Sequence, residues 1–78
     1  MQYPHPGSFI QLYISNVILC LDRTKFVADY DTEVYATVIG RCTIDEKNSE
    51  YEFYDLLVIT SRDGLVWVDL LDVNEIHS

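Results

Sequence analysis

The stretch YEFYDLLVITSRDGLVWVDLL, Tyr51 to Leu71, decides how the chain is read. Two apolar runs flank Ser61-Arg62-Asp63-Gly64. Asp-Gly between alternating hydrophobic residues signals a hairpin, because Gly accepts the positive φ that such turns need. On the first arm Tyr51, Phe53, Asp55, Leu57 and Ile59 alternate with Glu52, Tyr54, Leu56, Val58 and Thr60. On the return arm Val66, Val68 and Leu70 alternate with Leu65, Trp67, Asp69 and Leu71. Neither face is consistently polar, so both ask for cover.

Cover for one face lies just upstream. From Glu33 to Ile44 the alternation is regular: Val34, Ala36, Val38, Gly40, Cys42 and Ile44 share one side, and Tyr35, Thr37, Ile39, Arg41 and Thr43 share the other. Gly40 inside this strand predicts a bulge or bend. The loop Asp45 to Glu50 has normal hairpin length. The other face of the hairpin has only Tyr35, Ile39 and Ile76 to cover Trp67 and its neighbours. It is therefore expected to be core and interface at once, with Trp67→Ala weakening association more than folding.

The segment Phe9 to Asp22 reads two ways. Ser8 with Gln11 fits a capping box, and Ile10, Ile14, Val17, Ile18 and Leu21 follow helical spacing. Against a helix stand the β-branched side chains and the alternation of Gln11, Tyr13 and Ser15 with Ile10, Leu12 and Ile14. Strand is the preferred assignment, with Ser15-Asn16 as a bend. Phe26-Val27-Ala28 is a further short strand, and the tail DVNEIHS reads as a helical turn capped by Asp72, with Ile76 docking back.

The fold expected is mostly β: a small curled antiparallel sheet, or a barrel, of roughly four or five strands. In strand count and turn spacing alone it resembles a small SH3-like or OB-like barrel. The alternative is α+β, with a helix over 9–21 packed on a sheet of roughly three or four strands. Residues 1–8, with Pro4, Pro6 and Gly7, form an extended lead-in, and 9–78 a single small domain.

Seventy-eight residues leave room for one core, and a chain of this size buries only about 60% of the surface its unfolded form exposes. Such a thin core is often completed by a second copy or a partner, so a homodimer is expected. Thirteen carboxylates against five Lys and Arg give a net charge of −8. Arg23, Lys25, Arg41, Lys47 and Arg62 stand singly, which argues against direct binding of nucleic acid or of anionic membrane. A basic or nucleic-acid-binding protein partner is electrostatically favoured. No secretory signal precedes the domain and no run is long enough to span a membrane, so a cytoplasmic location with reduced thiols is expected. Met1 and the absence of a tag suggest a complete small open reading frame.

Catalytic, cofactor and metal sites are not expected. Asp29, Asp31 and Glu33 alternate as carboxylates, but a calcium loop starting at Asp29 would need Gly where Val34 stands and a carboxylate at Gly40. Cys20 and Cys42 lack metal or redox spacing and read as small buried side chains. What remains is recognition. The aromatic candidates for a partner-binding face are Tyr35, Tyr51, Phe53, Tyr54 and Trp67, interleaved with Asp55 and Asp69. The function expected is non-enzymatic protein binding, as an adaptor, an inhibitor or an antitoxin-like regulator. The alternative is a nucleic-acid mimic: the carboxylates of runs 29–33, 45–55 and 69–75, Asp29, Asp31 and Glu33 among them, would occupy the groove of a DNA- or RNA-binding enzyme.

Overall fold

A computed structural model describes residues 3–13, 17–28, 33–42 and 51–77. These residues form seven strands and a short 3-10 turn, and no α-helix. The strands are β1 (Phe9–Leu12), β2 (Val17–Cys20), β3 (Phe26–Ala28), β4 (Val34–Arg41), β5 (Leu56–Thr60), β6 (Gly64–Val68) and β7 (Val73–His77). All pair antiparallel in one sheet of order β3-β2-β6-β5-β4-β1-β7.

The helical alternative for 9–21 is overturned over its described residues, where period-two burial of Ile10 and Leu12 prevails over the helical spacing. Ser15-Asn16 lies outside the described residues. The strand count exceeds the expected four or five because the 9–21 segment supplies two strands and the tail supplies another.

Chain length forces the sheet to curl. β1 and β2 lie on opposite sides of the meander β4-β5-β6, four strand spacings apart. In a flat sheet that is about 19 Å at ~4.8 Å per strand. From Leu12 to Val17 the chain can reach at most about 17 Å, and only if fully extended. Curling the sheet closes the gap and places the alternate residues of five strands around one core. The sheet still does not close into the expected barrel. β1 is occupied on both sides, by β4 and β7, and β2 by β6 and β3, so neither has an edge left for the other.

The inner face carries Ile10, Leu12, Ile18, Val34, Ala36, Val38, Leu56, Val58, Val66 and Val68, all buried, with Tyr3, Val27 and Val73 packed against them. The bulge expected at Gly40 is present: register slips between Val38 and Gly40, leaving Ile39 as the extra residue. At the hairpin, Thr60 pairs with Gly64, whose φ is 72°, and Thr60 Oγ1 accepts the Asp63 N–H at 2.9 Å. The lead-in is docked from Tyr3 onward: the Gly7 N–H donates to the Val38 carbonyl and the Val38 N–H to the Ser8 carbonyl.

The tail differs from expectation. Asp69, not Asp72, caps a 3-10 turn at Leu70–Asp72, its carboxylate accepting the Leu71 N–H. Residues Val73–His77 then add a strand to β1 instead of a helical turn, leaving Ile76 46% exposed. A strand wins here because β1 offers an open ladder that satisfies the tail's backbone groups, which a single helical turn could not.

Asp72 ties the β1–β2 crossing to this turn. Its carbonyl accepts the Tyr13 N–H at 2.9 Å, and its carboxylate accepts the Val17 N–H. Burial, and then Asp69 nearby, raises the Asp72 pKa above its ordinary 3.8, with the Val17 bond pulling the other way. A carboxyl raised in the folded state binds its proton more tightly there than in the unfolded chain. Its contribution to stability is therefore present below 3.8 and lost as pH rises through the folded value. Asp72→Asn keeps an acceptor for Val17, so it should raise the melting temperature at neutral pH. That gain should vanish near pH ~3, where both side chains are neutral; thermal melts at the two pH values check this.

Candidate functional site

The outer face of the sheet takes the residues that the core does not. Alternation turns Phe9 and Gln11 of β1, Tyr35 and Thr37 of β4, Leu57 and Ile59 of β5, and Leu65 and Trp67 of β6 away from the core. Register sets four of them in one transverse row: Phe9 opposite Thr37, Thr37 opposite Ile59, and Ile59 opposite Leu65. Phe9, Ile59 and Leu65 are each at least 40% exposed, and so are Tyr35 and Ile39 beside them. Phe9 and Tyr35 stack, ring centroids 5.3 Å apart and planes 7° from parallel. A shallow groove of about 410 Å³ runs along this row, lined by Phe9, Tyr35, Thr37, Ile59, Thr60 and Ser61. Scattered surface hydrophobes need no explanation, whereas a continuous cross-strand row does.

The border of this row is acidic. The Tyr35 hydroxyl donates to Glu33 Oε2 at 3.4 Å, and its pKa is raised by burial first, then by the charges of Glu33 and Glu75. Glu75 stands opposite Gln11 on β7 and pairs with His77 at 3.2 Å.

A second row behaves differently. Leu19 and Leu57 flank Trp67 from the neighbouring strands, and Leu19 also faces Phe26 of β3. Here the face is covered. Leu19 is fully buried and Trp67 only 8% exposed. The indole Nε1–H donates to the Leu21 carbonyl at 3.0 Å, and the Arg23 guanidinium lies 4.1 Å above the ring. Trp67 is thus held under the 21–25 turn by its indole hydrogen bond and by Arg23.

The remaining aromatics also depart from the places that alternation assigns. Tyr51, Glu52 and Phe53 form a turn, not a strand arm, and β5 starts only at Leu56. The Tyr54 N–H closes that turn on the Tyr51 carbonyl, and the Tyr54 and Tyr51 rings pack against Phe26, at 5.1 and 5.4 Å. Phe53 projects into solvent, 65% exposed.

Of the acidic candidates, Glu33 borders the exposed row. Asp55 is buried: its carboxylate accepts the Tyr3 hydroxyl at 2.9 Å and the Arg41 Nε–H at 2.9 Å, while the Arg41 guanidinium stacks 3.9 Å over the Tyr3 ring. The hydrogen bond that Arg41 donates to Asp55 is the main reason the Arg41 pKa is raised. Asp69 caps the 3-10 turn, and Asp29 and Asp31 lie outside the described residues. Cys42, expected to be buried, is exposed at the end of β4, and Cys20 is half-buried; no disulfide joins them.

A second cleft, of about 530 Å³, opens between the 21–25 turn and the β5–β6 hairpin. Ile18, Cys20, Val27, Leu65 and Val66 line it, with Asp22, Lys25 and Asp63 among its polar residues. Leu65 belongs to both the cleft and the exposed row. Among the described residues, no three His, Cys, Asp or Glu side chains gather to hold a metal ion. Phe9, Ile59 and Leu65 were not singled out from sequence, because only the register of β1, β4, β5 and β6 brings them together.

No protein-family model, no curated protein and no solved structure matches this chain.

Proposed function

We propose that this protein works by binding another protein, without catalysing a reaction, and that the partner lies across the outer face of its sheet. The observation that carries this is the exposed row Phe9–Thr37–Ile59–Leu65 with Tyr35 stacked on Phe9. Aromatic and aliphatic side chains held on a rigid sheet make low-entropy anchors, because their backbones are fixed before binding. The partner is basic where it meets this face. Glu33 and Glu75 flank the aromatic pair, and the whole chain carries a net charge of −8. Opposite charge speeds encounter and sets orientation, while the apolar row supplies the affinity.

The nucleic-acid-mimic alternative draws less support. Asp55 is spent on Tyr3 and Arg41 and Asp69 on a backbone cap, so neither is free to imitate a phosphate.

Ile59→Lys tests the proposal. The side chain is 43% exposed on the outer face, so stability should change by no more than about 0.5–1 kcal/mol. Proteins recovered from the native host on immobilised wild type should be depleted on the variant by about 10-fold or more, since a lysine repels a basic partner and interrupts the row. Recovery of the same proteins in the same amounts on both would reject the outer face as the binding surface.

A further inference from the structure

The open sheet leaves two edges, and they are not alike. β3, Phe26–Ala28, carries no ionisable side chain that could set the register of a second strand. β7 is five residues long, pairs with β1 on one side, and among the described residues has no strand on its far side. A free edge of that length is a docking surface for another strand, and proteins that avoid this blunt the edge with like charges, proline or a bulge that twists it away. β7 carries no proline, and its one register shift lies at its beginning, opposite Gln11/Leu12. Its two ionisable residues are of opposite kind.

We infer that β7 pairs with β7 of a second copy, antiparallel about a two-fold axis centred on Ile76. In that register Glu75 of each copy lies directly opposite His77 of the other, and Ile76 lies opposite Ile76. The triplet Glu75-Ile76-His77 is therefore complementary to itself. Centring on Glu75 would set the two carboxylates face to face and Ile76 against Asn74. Centring on Asn74 would leave Glu75 against Val73. Directly opposed carboxylates destabilise a strand pair, whereas a carboxylate opposite an imidazole can accept its N–H, so the Ile76-centred register is selected.

Both faces of the sheet fit this arrangement. Ile76 pairs with Ile10 and so belongs to the inner side, yet it is 46% exposed; in the dimer it meets its own copy. Glu75 and His77 pair with Gln11 and Phe9 on the outer side, so the exposed rows of the two copies become continuous across the seam. The two-fold axis makes the contact isologous, so it closes at a dimer and does not propagate.

The test uses Glu75→Lys and His77→Glu, both exposed positions whose substitution should leave the melting temperature nearly unchanged. In sedimentation equilibrium, wild type should show concentration-dependent dimerisation to twice the 9.1 kDa chain mass. Each variant alone should dimerise about 10-fold more weakly, because like or unmatched charges now oppose each other at two symmetric places. Mixed in equal amounts, the two should form a heterodimer about as tight as the wild-type dimer. The lysine introduced at position 75 of one variant then faces the glutamate introduced at position 77 of the other. At the symmetric place the unaltered Glu75 and His77 still face each other. That rescue cannot come from the contact between Glu75 and His77 within one chain, which both variants lack. Wild type that stays monomeric, variants that dimerise as tightly as wild type, or a mixture no tighter than its components would each overturn the pairing. Ile59→Lys should dimerise normally, so failure of the outer-face proposal and failure of this one are separable.

Discussion

Replacing Trp67 by alanine should cost about 3–5 kcal/mol of folding stability, as expected for truncating a large buried aromatic side chain. Trp67 is 8% exposed and sits between Leu19 and Leu57, with the Arg23 guanidinium 4.1 Å above its ring. The change removes that packing and leaves the Leu21 carbonyl without its indole donor. For a domain of this length total stability is on the order of 4–12 kcal/mol, so the loss is a large fraction of the total. Trp67→Phe keeps most of the volume and loses chiefly the Nε1–H bond, which should cost about 1–2 kcal/mol. Urea titration followed by circular dichroism measures both, since the only tryptophan is lost and fluorescence cannot report. A Trp67→Ala loss below about 1 kcal/mol would mean that the 21–25 turn does not cover the indole. The expected loss would give this residue a large share in folding, beside the part in association expected from sequence.

The second large effect belongs to Asp55. Its carboxylate is the shared acceptor that ties the lead-in residue Tyr3 to Arg41 at the end of β4. Asp55→Ala leaves a half-buried phenol without an acceptor and a guanidinium without its counter-charge. A buried group stripped of its partner costs about 1–3 kcal/mol, and bonds to a charged group lie at the upper end. The Arg41 side chain is 50% exposed, so water replaces much of what it loses, which holds the expected total near 2–3 kcal/mol. Tyr3→Phe should cost about 1 kcal/mol, because a neutral hydroxyl is removed together with its need for an acceptor. In a double-mutant cycle Asp55→Ala and Arg41→Ala should be clearly non-additive, since they disrupt the same bond. Additive losses would dissolve the network.

Much of this architecture was legible in the chain, for local reasons. The Asp63-Gly64 turn, the alternation of Val34, Ala36 and Val38, and the bulge at Gly40 each depend on residues within a few positions of one another. So did the preference for strand over helix in 9–21, where β-branched side chains outweighed helical spacing. What could not be read was which strand lies beside which. β2 pairs with β6 across more than forty residues, and this placement alone brings the 21–25 turn over Trp67. β7 pairs with β1 across a still longer separation, so its backbone partner is invisible to a tail read in isolation.

The candidate site divides along the same line. Tyr35 was identified because β4 alternates regularly, and Glu33 because it ends the carboxylate alternation Asp29-x-Asp31-x-Glu33. Asp55 and Asp69 were counted as surface charges because sequence does not reveal that one finds Tyr3 and Arg41 and the other a backbone N–H. Phe9, Ile59 and Leu65 were passed over as ordinary strand residues. Their row exists only once three ladders are in register.

Site-specific photo-crosslinking in the native host tests the outer face most directly. A benzophenone amino acid placed at position 35 stands on that face; the same group at position 71 is more exposed but sits on the 3-10 turn, away from the row. Binding through the outer face predicts crosslinks from position 35 to a polypeptide other than this chain, suppressed by Ile59→Lys, and few or none from position 71. Crosslinks that arise equally from both positions, or from position 71 alone, would contradict it.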